Sequence, residues 1–447
     1  MISFMILFNE EGVNMFIKSL TVGGFKNLST TKINFGKLIV LASPNNFGKS
    51  NLIEAIDFGF AFIEANSKQR KSMMSWISGI PLTPELSSEK FTFEIEIDVP
   101  ELKEHRYINY GFSFSWFRDD TTGQQITDEW LKVRKNESTR YTSLFKRNEG
   151  NYRKSSQSQA RSKINLSDSQ LMIDILSATD EIEITDIIKA IQNVHYRTCA
   201  VTDVSGNFAT QPVKFLDESE NTGFNNNNVP EELFVLKENY PEKFELFKDA
   251  LFTLFPEFSD VWIKKFEIKI SVNHQDKLND PIPDVPFKVR EDAYALFIKS
   301  DHLNQPVSVL HMSAGTQRII WLLANIFGSN YKGISLLGIE ELETSIHPKL
   351  LKNFIEIIFE AQEDTNIILS SHSPFLIKYL KTEQIYLGVP NKGVATFRRI
   401  AKNNEKKLIL AARNLGISVS EYLFELMSSS GGSVDILNQF LENHNNE

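Results

Sequence analysis

One cysteine, Cys199, is all the thiol chemistry that this 447-residue chain carries. A lone thiol cannot close an internal disulfide or build a cysteine-based zinc cluster, which fits a reducing compartment and a cytoplasmic protein. Apolar runs long enough to span a bilayer are missing too. The opening Met1 to Phe8 is apolar, but it is short, lacks a basic flank and runs into Asn9-Glu10-Glu11-Gly12. Residues 1–14 therefore read as an N-terminal extension, and no membrane partner is expected. Positive charge is also scarce: with a formal net charge of −9, nucleic acid would have to be met by a local basic patch rather than by the field of the whole molecule. The eight histidines form no H-E-x-x-H or paired pattern, no hydrolase triad can be argued, and a,d heptads long enough for a coiled-coil arm do not occur. What is present is ordinary globular material, 41% hydrophobic and 23% charged, enough for one large core or two modest ones.

Between an apolar strand at Leu38 to Leu41 and a helix-like run from Asn51 to Ala65 lies Asn45-Asn46-Phe47-Gly48-Lys49-Ser50. The phosphate-cradling pattern G-x-x-x-x-G-K-[ST] wants a glycine at position 43, where this chain has Ser43. The other parts have clear tasks. Backbone N–H groups at a helix N-terminus face phosphates, Lys49 reaches the β and γ oxygens, and the Ser50 hydroxyl ligates Mg²⁺. Asn45, Asn46, Gly48, Lys49, Ser50 and Asn51 are thus the candidate ATP contacts. A Cβ at position 43 narrows the backbone choices of the loop, so ATP binding with slow turnover is expected.

Three distant stretches bear on the same site. Ser313-Ala314-Gly315 opens a helix whose apolar face is Ile319, Leu322, Leu323, Ile326 and Phe327, with Ser313 at the N-cap. Ile334 to Ile339 reads as a buried strand ending in Glu340-Glu341, where open α/β sheets place ligands. Neighbouring strand residues point to opposite faces, which suits a division of labour: Glu340 toward Mg²⁺, Glu341 toward the attacking water. Asn366 to Ser371 is another buried strand, ending at His372, whose ring nitrogen could polarise a terminal phosphate. Each stretch alone also reads as a capped core helix, a solvated carboxylate pair or a loop histidine. Their order along the chain is what makes them informative.

In that order the chain resembles the ABC-type ATPases of the RecF, SMC and OLD group. Lys49 and Ser50 match Walker A, Ser313-Ala314-Gly315 the signature, Glu340-Glu341 Walker B, and His372 the switch histidine; Ile339-Glu340-Glu341-Leu342-Glu343 through His347-Pro348 is similar to the group's I-E-E-P-E…H-P, with Leu342 where proline is usual. The resemblance implies an α/β P-loop ATPase head, a mixed β-sheet with flanking helices, with ATP and Mg²⁺ as cofactors and catalytic roles for Glu341 and His372. It also implies an ATP-sandwich homodimer in which Walker A of one copy faces the signature of another.

Lys49 and Ser313 are 264 residues apart, room for a globular α+β insert rather than a long coiled coil or a transporter's short spacing. No D-x-D follows His372, so a TOPRIM nuclease domain of the OLD kind is not expected in this chain. A head of this kind most resembles the ATPase subunits of two-gene antiphage systems, PtuA of Septu with an HNH nuclease partner or AriA of PARIS with a TOPRIM partner. A RecF-like DNA repair ATPase is the alternative, and a transporter nucleotide-binding subunit a more remote one. The expected layout is an ATPase head at 15–100 and 300–390, an insert of β-meander and helices at 101–299, and a helical tail at 391–447. One more tract bears on function. Lys132, Arg134, Lys135, Arg140, Lys146, Arg147, Arg153, Lys154, Arg161 and Lys163 stand against Glu137 and Glu149, with Tyr141, Phe145 and Tyr152 interleaved. This reads equally as a DNA-binding face or a solvated β-meander. Asp260 with Glu267-Ile268-Lys269 superficially matches a restriction-type metal site and is better explained as a strand face.

Overall fold

The structure is a computed structural model that describes residues 15–442 apart from 46, 119–121, 149–150, 155–161, 164–165, 177–181, 201–202, 212, 216–227, 269–286, 345, 362 and 429–431. The chain forms two compact units: Met1–Thr198 with Gly333–Leu342 and Asp364–Glu447, and Cys199–Lys332 with Glu343–Glu363.

Two sheets build the first unit. One contains eight strands, β1 (Phe16–Gly23), β2 (Thr31–Asn34), β4 (Phe91–Asp98), β5 (Tyr107–Ser115), β6 (Gln125–Arg134), β7 (Thr142–Asn148), β8 (Asn151–Lys154) and β9 (Ser162–Lys163), in the order β2-β1-β4-β5-β6-β7-β8-β9. Every neighbouring pair in it is antiparallel. Alternation in β4 does what period two requires: Phe91, Phe93, Ile95 and Ile97 are buried, and Thr92, Glu94 and Glu96 are half-buried.

The other sheet runs β10 (His195–Cys199), β16 (Ile334–Ile339), β17 (Asn366–Ser371), β3 (Leu38–Ala42), β18 (Ile385–Asn391) and β19 (Val394–Arg399). Its central strands β16, β17, β3 and β18 are parallel, and β18 turns back antiparallel into β19. β3, β16 and β17 are buried at every residue, as strands covered on both faces must be. Register sets the consequence: the residues after Ala42, Ile339 and Ser371 all leave the sheet at one edge.

The helix Lys49–Glu64 starts at that edge and buries Leu52, Ile53, Ile56, Phe60, Phe62 and Ile63. Phe62 stacks on Phe112 and Phe114 of β5, with centroids 4.8 and 4.9 Å away, and Phe58 meets Phe91 edge-on at 5.0 Å. One apolar cluster joins the helix to both sheets through Ile39, Leu41, Leu336, Ile368 and Tyr386. The far end of the helix is closed by Arg70, which donates to the Phe62 and Ile63 carbonyls at 2.8 and 2.9 Å and pairs with Asp174.

The second unit carries the helices Val229–Asn239, Pro241–Leu254, Ala314–Tyr331 and Pro348–Ala361, the three-stranded sheet β12 (Phe258–Glu267), β14 (Asp292–Ser300) and β15 (Val307–Ser308), and the pair β11 (Val213–Phe215) with β13 (Phe287–Val289). Phe244, Phe247, Ala250, Leu251 and Leu254 are buried as their spacing predicts, and Leu246 is exposed. The longest helix among the described residues has 18 residues, and none is long and apolar enough to cross a membrane.

The layout differs from the sequence reading at two boundaries. Residues 101–198 fall in the same unit as the P-loop, because β5 to β9 extend the sheet begun by β1, β2 and β4. The tail expected to be helical from 391 first supplies β19 to the parallel sheet. Leu166 to Ala200, which reads as helical, contains the helices Met172–Leu176 and Ile182–Gln192 but ends in strand β10.

Candidate nucleotide-binding site

The P-loop links β3 to the helix Lys49–Glu64, and its geometry rests on two glycines. Gly48 has φ +90°, a conformation that side chains rarely adopt, and a Cβ there would stand 2.6 Å from the Ala395 Cβ. It is the N-cap, no side chain caps the first turn, and no acidic residue lies in that turn, so its N–H groups favour an anion. Ser43 has no such strain, since it is not among the described residues with positive φ. Room for its Cβ comes from across the sheet. At Gly388 on β18, an added Cβ would fall 2.7 Å from the Ser43 Cβ. The glycine missing at 43 is faced by one at 388, which leaves room for the serine side chain in the fold.

Lys49 is buried inside the loop, donating to the Ser43 carbonyl at 2.8 Å, the Pro44 carbonyl at 3.0 Å and the Ser43 Oγ at 3.4 Å. One residue on, the Ser50 Oγ donates to the Glu340 Oε2 at 2.6 Å. A hydroxyl and a carboxylate so placed are the hard oxygen donors Mg²⁺ prefers, and Mg²⁺ commonly takes few protein ligands and completes its shell with phosphate and water. The donor set therefore fits the metal. Asn45, Phe47, Gly48, Lys49, Ser50, Asn51 and Glu341 line a pocket of about 470 Å³, within the range of small-molecule sites. Asn46 lies outside the described residues.

Glu340 and Glu341 both follow β16, which ends at Ile339, so strand alternation does not divide them; the turn begins only at Leu342. Glu341 takes φ +46°, uncommon for a residue with a side chain, and its N–H donates to the Ser370 Oγ of β17 at 3.1 Å. His372 is exposed directly after β17, at the sheet edge where the P-loop also leaves. Ser313, Ala314 and Gly315 belong to the second unit, where the Ser313 Oγ accepts the Thr316 N–H at 3.2 Å as an N-cap should.

Several contributors carry no motif signal: Ser370, which holds Glu341; Gly388; and Asn27, whose Oδ1 accepts from Asn51 Nδ2 at 2.7 Å while its own Nδ2 donates to the Gly393 carbonyl at 3.1 Å. Their partners Glu341, Ser43 and Asn51 all lie within patterns, but the contacts themselves join segments far apart in sequence.

The basic tract is corrected in part. Arg147 is buried, 4.0 Å from Glu129 and bonded to the Gln170 carbonyl; Arg134 pairs with Glu96 at 2.6 Å and lies over the Tyr141 ring; Lys135 pairs with Glu104 at 2.6 Å. Phe145 is buried in the core. Arg140 and Lys146 remain exposed, while Arg161, Glu149 and the side chains of Tyr152, Arg153, Lys154 and Lys163 lie outside the description. Charge reversal at Arg147 would therefore report on folding. Asp260 sits on β12 and accepts from the Trp262 indole at 2.8 Å, which favours the strand-face reading; Lys269 is outside the described residues.

A parallel sheet whose edge gathers a glycine-cornered loop, a buried lysine, and a serine bonded to a carboxylate defines an α/β P-loop ATPase head. Residues 39–378 match the family described as "AAA domain, putative AbiEii toxin, Type IV TA system", and the chain belongs to that family. No curated protein matches the chain. Solved structures similar to it include the SMC head bound to the C-winged helix domain of ScpA, at 13% identity over 88% of this chain and 99% of that one, TM-score 0.49. The SMC head domain from Thermotoga maritima is 10% identical over 86% and 99%, TM-score 0.42. The recombination mediator RecF of the RecFOR pathway is 12% identical over 86% and 98%, TM-score 0.38.

Proposed function

We propose that this chain is the ATP-binding and ATP-hydrolysing subunit of a cytoplasmic two-component antiphage complex, scaffolding and regulating a separately encoded nuclease, HNH in preference to TOPRIM. The observation that carries the ATPase part is the 2.6 Å bond between Ser50 and Glu340 beside the buried Lys49. Support for the defence part is the family description itself, which names the toxin of a Type IV TA system.

At this site the loop N–H groups and Lys49 bind and orient the phosphates, and Ser50 with Glu340 would hold Mg²⁺, which supplies charge neutralisation to the phosphoryl oxygens. Glu341 takes a proton from the attacking water, and His372 donates to the terminal phosphate. Ser313, Ala314 and Gly315 of a second copy would close over the nucleotide, so turnover depends on protein concentration and is slow when the chain is dilute. A RecF-like repair ATPase is the second reading, favoured by the cation-lined pocket described next.

The test is purification of the tagged Glu341→Gln chain from its native host in ATP and Mg²⁺. A stoichiometric nuclease whose DNA cleavage changes on ATP addition is the expected result. A membrane permease as the partner contradicts the reading, and a partner-free protein that prefers DNA junctions replaces it with the second.

A further inference from the structure

A second, larger pocket, about 880 Å³, opens in the first unit where β2, the β18–β19 hairpin and the C-terminal residues meet. Four cations line it: Lys32 on β2, Arg398 and Arg399 on β19, and Lys402 just after, against one carboxylate, Glu442. In a chain of net charge −9 this is a concentrated local excess of positive charge inside a concave wall, the arrangement that focuses a field on an anion. The two arginines are braced. Arg398 donates to the Asn438 Oδ1 and, at 3.5 Å, to the Glu442 carbonyl, while Arg399 lies 5.5 Å over the Tyr386 ring and 3.5 Å from the Glu442 carboxylate. The Tyr386 hydroxyl in turn accepts the Asn34 N–H at 2.7 Å, tying β2 to the hairpin. Burial holds the Arg398 guanidinium below its usual range. The rest of the lining is amide-rich, with Asn34, Asn403, Asn404, Asn438 and Gln439. Amides offer donors and acceptors together, which suits base edges and sugars more than an aliphatic or simple acidic ligand.

We propose that this pocket binds nucleotide phosphates, with room for about one or two nucleotides of a single strand. The basic surface that an acidic nucleic-acid-binding protein needs is thereby placed at Lys32, Arg398, Arg399 and Lys402, apart from the tract at 132–163, where Arg134, Lys135 and Arg147 are already engaged. The proposal stands independently of the ATPase reading.

The experiment is fluorescence anisotropy with a labelled six-nucleotide single-stranded DNA, in a Lys49→Ala background and without Mg²⁺, so that the P-loop does not contribute. Lys32→Glu with Lys402→Glu changes two exposed side chains. It is expected to weaken binding at least about tenfold at moderate salt, to reduce the slope of log affinity against log salt by roughly 1.4, and to leave the thermal midpoint in place. Arg140→Glu with Lys146→Glu is expected to change neither affinity nor slope. Displacement of the strand by a mononucleotide at comparable concentration supports the same phosphate chemistry with a free nucleotide as its source; resistance to it supports the strand. Unchanged affinity and slope in the Lys32/Lys402 variant, loss of binding in the Arg140/Lys146 variant, or displacement by polyglutamate as readily as by unlabelled strand would each overturn the proposal, the last in favour of an acidic peptide.

Discussion

Ser43 and Gly388 act as a pair: the loop tolerates a serine where the linear pattern wants glycine because the facing strand has given up its own side chain. Gly388→Ala is expected to destabilise the fold by about 1–3 kcal/mol through overpacking, and Ser43→Gly in the same chain to restore part of the loss, since the Phe397 Cε1 still stands 2.9 Å from the added Cβ. Denaturant unfolding of both singles and the double checks this. Ser43→Gly alone is expected to leave turnover unchanged, since Ser43 is not in a strained conformation. From the sequence Ser43 looks like a defect, because its compensation lies 345 residues away and no local pattern reports such a contact. Lys49, Ser50 and Glu340 were legible for the opposite reason, each being a residue type whose chemistry demands it at that spacing. Ser370 is the residue to probe next. Ser370→Ala removes the acceptor for the Glu341 N–H and is expected to lower kcat about tenfold while ATP affinity holds, the mark of a positioning residue. Equal losses in kcat and affinity would show a general structural role instead.

Among the elements, the helix Lys49–Glu64 joins binding to stability, since its first turn faces the site and its body fills the space between two sheets. Phe62→Ala is expected to cost about 3–5 kcal/mol, because the ring is fully buried between Phe112 and Phe114. Equilibrium unfolding measures it. This helix and the strands β3, β4, β16 and β17 were readable from period and from uninterrupted apolar runs. The short strand β10 was not, since four half-buried residues and one buried one after an amphipathic helix carry no alternation strong enough to mark a change of element. The hairpin β18–β19 was likewise hidden behind its role. It turns at Lys392 and Gly393, both at positive φ, and carries Gly388 and Ala395 against the loop. β19 falls in the expected tail by position and, with β18, is the P-loop's support by contact.

At the scale of the molecule, a buried carboxyl links stability to pH. Burial pushes Glu129 up to about 7, against the opposing pull of the Met172 N–H, Arg147, the Ile173 N–H and the Tyr110 hydroxyl. In the unfolded chain the same group titrates near its ordinary value of about 4.3. The folded state thus holds the extra proton: the contribution is complete below the unfolded value and fades as pH rises through about 7. Urea unfolding at pH 5 and pH 7.5 is expected to show a loss, up to about 3 kcal/mol, that Glu129→Gln does not share. Domain limits were the least legible property, because a strand that extends an existing sheet and one that starts a new domain have the same local pattern.

The central claim is that Lys49, Ser50, Glu340 and Glu341 form one ATP site. ATP binding and phosphate release measured side by side for the wild type and for Glu341→Gln test it most directly. The predicted result is unchanged ATP affinity with phosphate release at least about a hundredfold slower in the variant; equal phosphate release by the two proteins, or no ATP binding by the wild type, would contradict it.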